Sequence, residues 1–253
     1  MRLIVADDAQ ATALAAADWI ASCLRADIAR YGRAVVAFSG GASPQPMLRA
    51  LGALPLPWTQ LVVLQVDERV APPGSDARNL TALAAALPKL PPSRLHAMPV
   101  ECDDDLDSAA RAYDTLLEAM AGTPPMLDLV HLGLGDDGHT ASLFAADPAL
   151  EVVDRGVIVT GVQHGYRRMS LSMPVLSRAR RRLWLVIGAA KASSLAALLR
   201  APDSAGPSDA GAHDARVPAA RVARADSVVF ADTEAAAQAP SDANLIPAAP
   251  RRS

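Results

Sequence analysis

The stretch MLDLVHLGLGDDGHTASLF, residues 126–144, decides the fold. It opens as the end of a buried strand, with Leu127, Leu129, Val130, Leu132 and Leu134 apolar. It then breaks into Gly133, Gly135, Asp136, Asp137, Gly138 and His139, after which the chain turns apolar and helix-like. In open parallel sheets, ligands bind beyond the carboxyl ends of the strands. Two carboxylates and a histidine on a glycine-hinged turn at such an end point to chemistry as well as packing.

The same alternation runs outward in both directions. Residues 3–5 form a short strand, and Ala9 to Tyr31 has the spacing of a helix buried through Leu14, Ala17, Trp19, Ile20, Leu24 and Ile28. Gly32 stops it. Strands follow at 34–38, 61–69, 94–100, near 157, at 182–188 and late in 223–232, with helices at 80–87, 104–120 and 189–200. Strands alternating with helices predict a doubly wound, mostly parallel α/β sheet with helices on both faces, Rossmann-like and a single domain. The domain is expected to span residues 1–238, with a flexible tail over 239–253. Residues 202–216, rich in Ser, Asp, Gly, Pro and Ala, read as a lid or a surface loop.

The bulk numbers exclude several classes. A length of 253 residues suits one large α/β domain. The net charge of −3 gives no general attraction to nucleic acid or anionic membrane, so an anionic ligand needs local Arg and Lys. Cys23 and Cys102, far apart and without a CxxC, suggest neither zinc nor a disulfide framework. No segment has the roughly 20 apolar residues that span a bilayer, and a cytoplasmic protein is expected.

Each motif has an ordinary reading beside the functional one. In SGGASPQPML (39–48), a strand feeds Ser39, Gly40 and Gly41, and a helix starts near Ser43-Pro44. Glycines let backbone approach a ligand, and helix-start amides with the Ser39 and Ser43 hydroxyls suit phosphate. The ordinary reading makes Ser43 an N-cap and Pro44 the first helical residue. In LVVLQVDERV (61–70), Asp67, Glu68 and Arg69 form either a solvated loop or an anion contact through Arg69, with the carboxylates positioning the loop through Ser75 and Asn79. His139 is the one histidine in a glycine-rich strand-end setting. A metal site is disfavoured, because two or three ligands would crowd one turn with no distant partner. His131, inside an apolar strand, reads as structural; His96, His164 and His213 have no comparable setting. Arg168 and Lys191 add positive charge, and Arg178 to Arg182 reads as a solvated turn.

Taken in order, SGGASPQPML, VDERVAPPGSDARN, LGLGDDGHTASLF and RRMSLSMPVLSRARRRLWLVIGAAKASSL resemble the 6-phosphogluconolactonase family of the glucosamine-6-phosphate isomerase/6-phosphogluconolactonase superfamily. The resemblance runs from the first helix to Asp232. It implies hydrolysis of 6-phospho-D-glucono-1,5-lactone in the oxidative pentose phosphate pathway, with no metal and no organic cofactor. The expected partners are that small-molecule sugar-phosphate lactone alone, with no nucleic acid and no membrane, on a monomer or weak homo-oligomer. It assigns His139 as base, oriented by Asp137 or, as the second choice, Asp136. Ser39, Gly40, Gly41, Ser43, Asp67, Arg69, Gly135, Gly138, Arg168 and Lys191 would bind substrate and phosphate. The amides of the Gly135–Gly138 turn, with Arg168, would face the oxyanion. The superfamily's deaminases continue Asp-Gly-His into Phe-Asn-Glu-Pro; here Ser142, Leu143, Phe144, Ala145 and Ala146 leave no such glutamate. The alternatives are a deaminase-like isomerase and a non-catalytic sugar-phosphate-binding module.

Overall fold

The computed structural model describes residues 1–101, 105–201 and 217–247. Cys102 and the 202–216 segment, with His213, lie outside them. Among the described residues, eight strands form one sheet, all paired in parallel. They are β1 (Arg2–Ala6), β2 (Ala34–Phe38), β3 (Leu61–Gln65), β5 (Leu95–His96), β6 (Leu129–Gly133), β9 (Arg182–Val186), β10 (Ser227–Asp232) and β11 (Leu245–Pro247). Their order is β11-β1-β10-β9-β6-β2-β3-β5.

Side chains alternate across this sheet, and the two faces carry separate cores. Val36, Phe38, Val63, Leu129, Leu183, Val228 and Phe230 pack against α1 (Ala9–Tyr31), α2 (Gln45–Ala53) and α3 (Asn79–Ala86). Val35, Ala37, Leu64, Val130, Leu132, Trp184 and Val229 pack against α4 (Leu106–Ala121), α5 (Met173–Arg178) and α6 (Ala192–Arg200). The doubly wound expectation therefore holds. The face of α1 is set by small residues. Ala13, Ala16, Ala17 and Ala21 are fully buried, whereas Leu14 and Trp19 are only half-buried. Alanine lets the helix axis lie close to the strands. Asp8 accepts from the Ala11 amide at one end, and Gly32 closes the other in the left-handed region at φ 78°.

Several details differ from the sequence expectation. The run 61–69 is two strands. At Val66 the chain leaves the main sheet, and β4 (Asp67–Arg69) joins a separate antiparallel sheet, β4-β8-β7, with β7 (Val157–Gln163) and β8 (Tyr166–Leu171). The apolar run is interrupted only by Gln65, beside the exit, and a lone polar residue does not by itself show that the chain changes sheets. The strand expected at 94–100 is only Leu95–His96. The chain after His139 makes turns, not a helix; a bridge between Thr140 and Leu143 closes the first of them. Ser43 does not cap α2, whose N-cap is Pro44. Beyond residue 238, β11 pairs with β1, so this part of the expected tail is held on the sheet edge.

The exit at Val66 is fixed by Glu68, which is fully buried. Its Oε1 accepts from the amides of Arg69 and Asn79 at 2.7 and 2.8 Å. Its Oε2 accepts from Gln65 Nε2 and the Leu80 amide, both at 2.8 Å, and lies 3.2 Å from Arg78 Nε. One carboxylate thus ties β3, β4 and the otherwise uncapped start of α3. Replacing it by alanine leaves these donors buried and unmatched, and Glu68→Ala is expected to lose roughly 3–5 kcal/mol. Urea denaturation checks this; a loss below about 1 kcal/mol would mean that the network is incidental.

Candidate active site

The winding reverses between β2 and β6, which are hydrogen-bonded neighbours. From β2 the chain continues outward to β3, and from β6 the sheet continues to β9. This reversal opens a crevice at the strand ends. Its cleft is lined by Ser39, Gly40, Gly41 and Ser43 after β2, Asp67 and Arg69 on β4, Gly135 and His139 after β6, Arg168 on β8 and Lys191 before α6. Ten of the twelve expected site residues therefore meet in one place. Asp137 and Gly138 are not among the residues that line it.

Asp137 acts on the cleft through His139. Its Oδ1 lies 2.5 Å from His139 Nδ1 and accepts from the His139 amide at 3.0 Å. Burial pushes the Asp137 carboxyl up, but the two hydrogen bonds from His139 outweigh it and hold the carboxyl below its ordinary range. The carboxylate is therefore charged near neutrality, and it fixes the ring with the proton on Nδ1. Nε2 is then the ring nitrogen that Asp137 does not engage. On its flat side the ring stacks on Phe144, with centroids 4.2 Å apart and planes at 26°. Asp136, the second choice for this role, lies 3.9 Å from Lys191 Nζ instead.

Two glycines make that arrangement possible. A Cβ on Gly135 would fall 2.2 Å from His139 Nδ1 and 2.3 Å from Asp137 Oδ1, so the pair occupies the space a side chain would take. Gly138 has φ 83°, and a Cβ there would meet Val217 at 2.9 Å. The turn also consumes its own donors. The Gly135 amide donates to His139 O at 2.8 Å and the Gly138 amide to Gly135 O at 3.1 Å. Those two amides, expected to face an oxyanion, are already engaged.

The anion side is built from backbone and arginine. The amides of Gly40, Gly41, Ala42 and Ser43 have no protein acceptor among the described residues. Such a run of outward amides is a cradle for an anion. Gly40 is needed where it stands, because a Cβ would overlap the Asn79 side chain at 2.2 Å. The Ser39 hydroxyl, expected to hold phosphate, donates to His131 O at 3.0 Å and is buried. Across the β4–β8 pair, Arg69 stands directly opposite Arg168. Like charges in that register repel. Asp67 lies beside them: burial holds its carboxyl above the ordinary range, although the Ser142 hydroxyl, donating at 2.7 Å, and Arg168 favour the charged form. An anion between the arginines would complete the balance.

The sequence reading passed over three contributors. Phe144 stacks under His139 and lies 5.5 Å from the Arg168 guanidinium carbon. His164 lies 6.3 Å from His139, on the two-residue turn His164-Gly165 whose φ angles are 51° and 82°; a Gly in a short gap between apolar runs was the available signal. His131, taken as structural, is fully buried on β6 and also lines the cleft.

Residues 7–230 match the family described as glucosamine-6-phosphate isomerases/6-phosphogluconolactonase. The chain is 39% identical over 175 residues to a 6-phosphogluconolactonase of Synechocystis, spanning 66% of this chain and 72% of that one. It is 33% identical over 248 residues to a 6-phosphogluconolactonase of Mycobacterium tuberculosis, covering 92% and 96% of the two chains. Among solved structures, a 6-phosphogluconolactonase of Trypanosoma brucei superposes with a TM-score of 0.81 at 23% identity, over 93% of this chain and 97% of that one. The chain belongs to the glucosamine-6-phosphate isomerase/6-phosphogluconolactonase family.

Two measurements test the site's construction. Gly135→Ala is expected to leave the fold intact while displacing the Asp137–His139 pair, lowering kcat by about 100-fold or more; full activity would mean that the pair can shift without consequence. Burial lowers the His131 imidazole to about 3, whereas in an unfolded chain it titrates near 6.5. Between these values the unfolded state binds the extra proton, so stability is lost as pH falls through that window. Relative to His131→Leu, the wild type should lose up to roughly 1.4 kcal/mol per pH unit there. Parallel stability curves for the two proteins would contradict the buried neutral ring.

Proposed function

We propose that this chain hydrolyses 6-phospho-D-glucono-1,5-lactone to 6-phospho-D-gluconate, the lactone-opening step of the oxidative pentose phosphate pathway. Membership of the family and the names of its relatives support the reaction class. The observation that carries the mechanism is the 2.5 Å contact between Asp137 and His139 Nδ1 at the cleft wall. Hydrolysis of this cyclic ester needs an activated water, a partner for the oxyanion and a proton for the departing ring oxygen.

In this reading the phosphate lies on the free amides of Gly40 to Ser43, with the Ser43 hydroxyl, Arg69 and Lys191 around it. Asp67 takes a sugar hydroxyl, since a carboxylate repels phosphate. The lactone carbonyl then lies beside His139 and Arg168. His139 Nε2 removes a proton from water as the water oxygen attacks the carbonyl carbon. Asp137 faces the imidazolium that forms. Arg168, close to the Phe144–His139 stack, stabilises the oxyanion in place of the engaged turn amides. When the intermediate collapses, the bond from the carbonyl carbon to the ring oxygen breaks. His139 returns its proton to that oxygen, and the new carboxylic acid ionises to solvent. A serine nucleophile is disfavoured, because the Ser39 hydroxyl is buried and bonded to His131 O. The cytoplasm is the proposed location; no described helix is long and apolar enough to cross a membrane.

The test uses lactone generated in place, because it also opens unaided. Decay is compared in buffer, with wild type and with His139→Ala at equal concentration. The expected result is a large acceleration by wild type that falls at least 1,000-fold in the variant, with 6-phosphogluconate binding retained. Folded wild type that decays the lactone no faster than buffer would sink the reading.

A further inference from the structure

Lys191 comes to the cleft on a turn, not on a strand. Strand β9 stops at Val186, and the chain crosses Ile187 and Gly188 before the single turn Ala189–Lys191 leads into α6. Gly188 has φ 91° and ψ 152°, a conformation that residues with a side chain avoid. The Lys191 amide donates back to Gly188 O at 3.0 Å, and the Ser194 hydroxyl donates to Lys191 O at 3.1 Å. The backbone of Lys191 is therefore tied to Gly188 on one side and to α6 on the other.

Gly188 is held in turn by Asp232. This residue ends β10, one position beyond the last β9–β10 pair, Val186 with Ala231. Its side chain is buried. The Gly188 amide donates to both carboxylate oxygens, at 3.1 Å to Oδ1 and 3.0 Å to Oδ2. Oδ1 also accepts the Ala235 amide at 2.8 Å. That bond is an ordinary cap on the turn after β10, and it needs only one oxygen. Among the described residues, Oδ2 accepts from Gly188 alone. Asp232 does not line the cleft, so any effect it has on a ligand passes through the turn.

We propose that Asp232 is a positioning residue for anion binding, its grip on the Gly188 amide fixing the turn that carries Lys191 into the cleft. It acts through Lys191 and not by contact with the ligand. A lysine is a point charge on a flexible stem, so a mobile origin would spread its ammonium over a wide region and weaken its hold on an anion. Asp136 Oδ1, 3.9 Å from Lys191 Nζ, competes for the same charge. A loosened turn lets the ammonium settle there instead of on the ligand.

The proposal rests on the reading of Lys191 as an anion contact, but not on the identity of the reaction. Asp232→Asn is the selective variant. With its oxygen at the Oδ1 position it keeps the Ala235 cap, and its NH2 group then meets the Gly188 amide, donor against donor. Gly188→Ala perturbs the same turn independently, because an added Cβ meets nothing within 4 Å and only the backbone conformation resists it. Both are compared with wild type, Lys191→Met and the double variant Asp232→Asn/Lys191→Met. Binding of inorganic phosphate and of 6-phosphogluconate is read by calorimetry, and lactone hydrolysis by KM and kcat. Asp232→Asn and Gly188→Ala are each expected to bind both probes about tenfold more weakly and to raise KM about tenfold, with kcat changed less than about threefold. The double variant should bind no more weakly than Lys191→Met, because a group that acts through Lys191 then has nothing left to position. If Asp232→Asn does not fold, Gly188→Ala and its double with Lys191→Met carry the same comparison. Losses that multiply in the double variant would overturn the proposal. So would unchanged affinity in the turn variants, or in Lys191→Met, which would leave no anion contact to position. Coupled losses of phosphate affinity in a protein that does not accelerate lactone opening would uphold the positioning role and reject the lactonase reading alone.

Discussion

The hydrogen bond between Asp137 and His139 sits directly over Gly135, and the rest of the site is arranged around that overlap. The pair fits only because residue 135 has no side chain. The turn closes only because Gly138 accepts a positive φ beside Val217. The carbonyl of Gly138 then receives the Ala219 amide at 3.0 Å, which seats the segment before β10 against the turn. The strand end of β6 thus becomes a rigid platform. A carboxylate held below its usual range and a ring stacked on Phe144 have little freedom to drift, and proton transfer depends on such fixed geometry.

The second constraint is the exit of the chain from the main sheet at Val66. Without it, Arg69 would continue as part of β3 and never face Arg168. Glu68 makes the exit permanent by gathering donors from β3, β4 and α3. The small sheet then pairs Arg69 with Arg168 in register, and two like charges so placed favour an anion nearby.

Much of this was legible in the sequence, for physical reasons. Helix α1 begins and ends where the Asp8 cap and Gly32 place it, since capping is local chemistry. The parallel strands follow from short apolar runs between helical spacings. The cleft residues follow from their common position after strands. What the sequence hid depends on tertiary pairing. In the run 61–69 only Gln65 interrupts the apolar residues before the charged end, and that single residue does not tell one sheet from two. Ser43 has the residue type of an N-cap, yet Pro44 takes that position and leaves the Ser43 hydroxyl unused. The amides of Gly135 and Gly138 are used up inside the turn, on His139 O and Gly135 O, which no spacing rule reveals. His131 looks like an ordinary strand residue because its burial is real. Its two ring nitrogens have no partner among the described residues, which no local pattern reveals.

The central claim is that Asp137 holds His139 with its proton on Nδ1, leaving Nε2 bare to activate water. The most direct measurement is the nitrogen NMR spectrum of imidazole-labelled protein, recorded at a pH where the ring is neutral and with His139 assigned by substitution. The account predicts a protonated Nδ1 and an unprotonated Nε2 for His139, with that preference lost in Asp137→Asn. A His139 that carries its proton on Nε2 in the wild type, or whose tautomer is indifferent to Asp137, would contradict it.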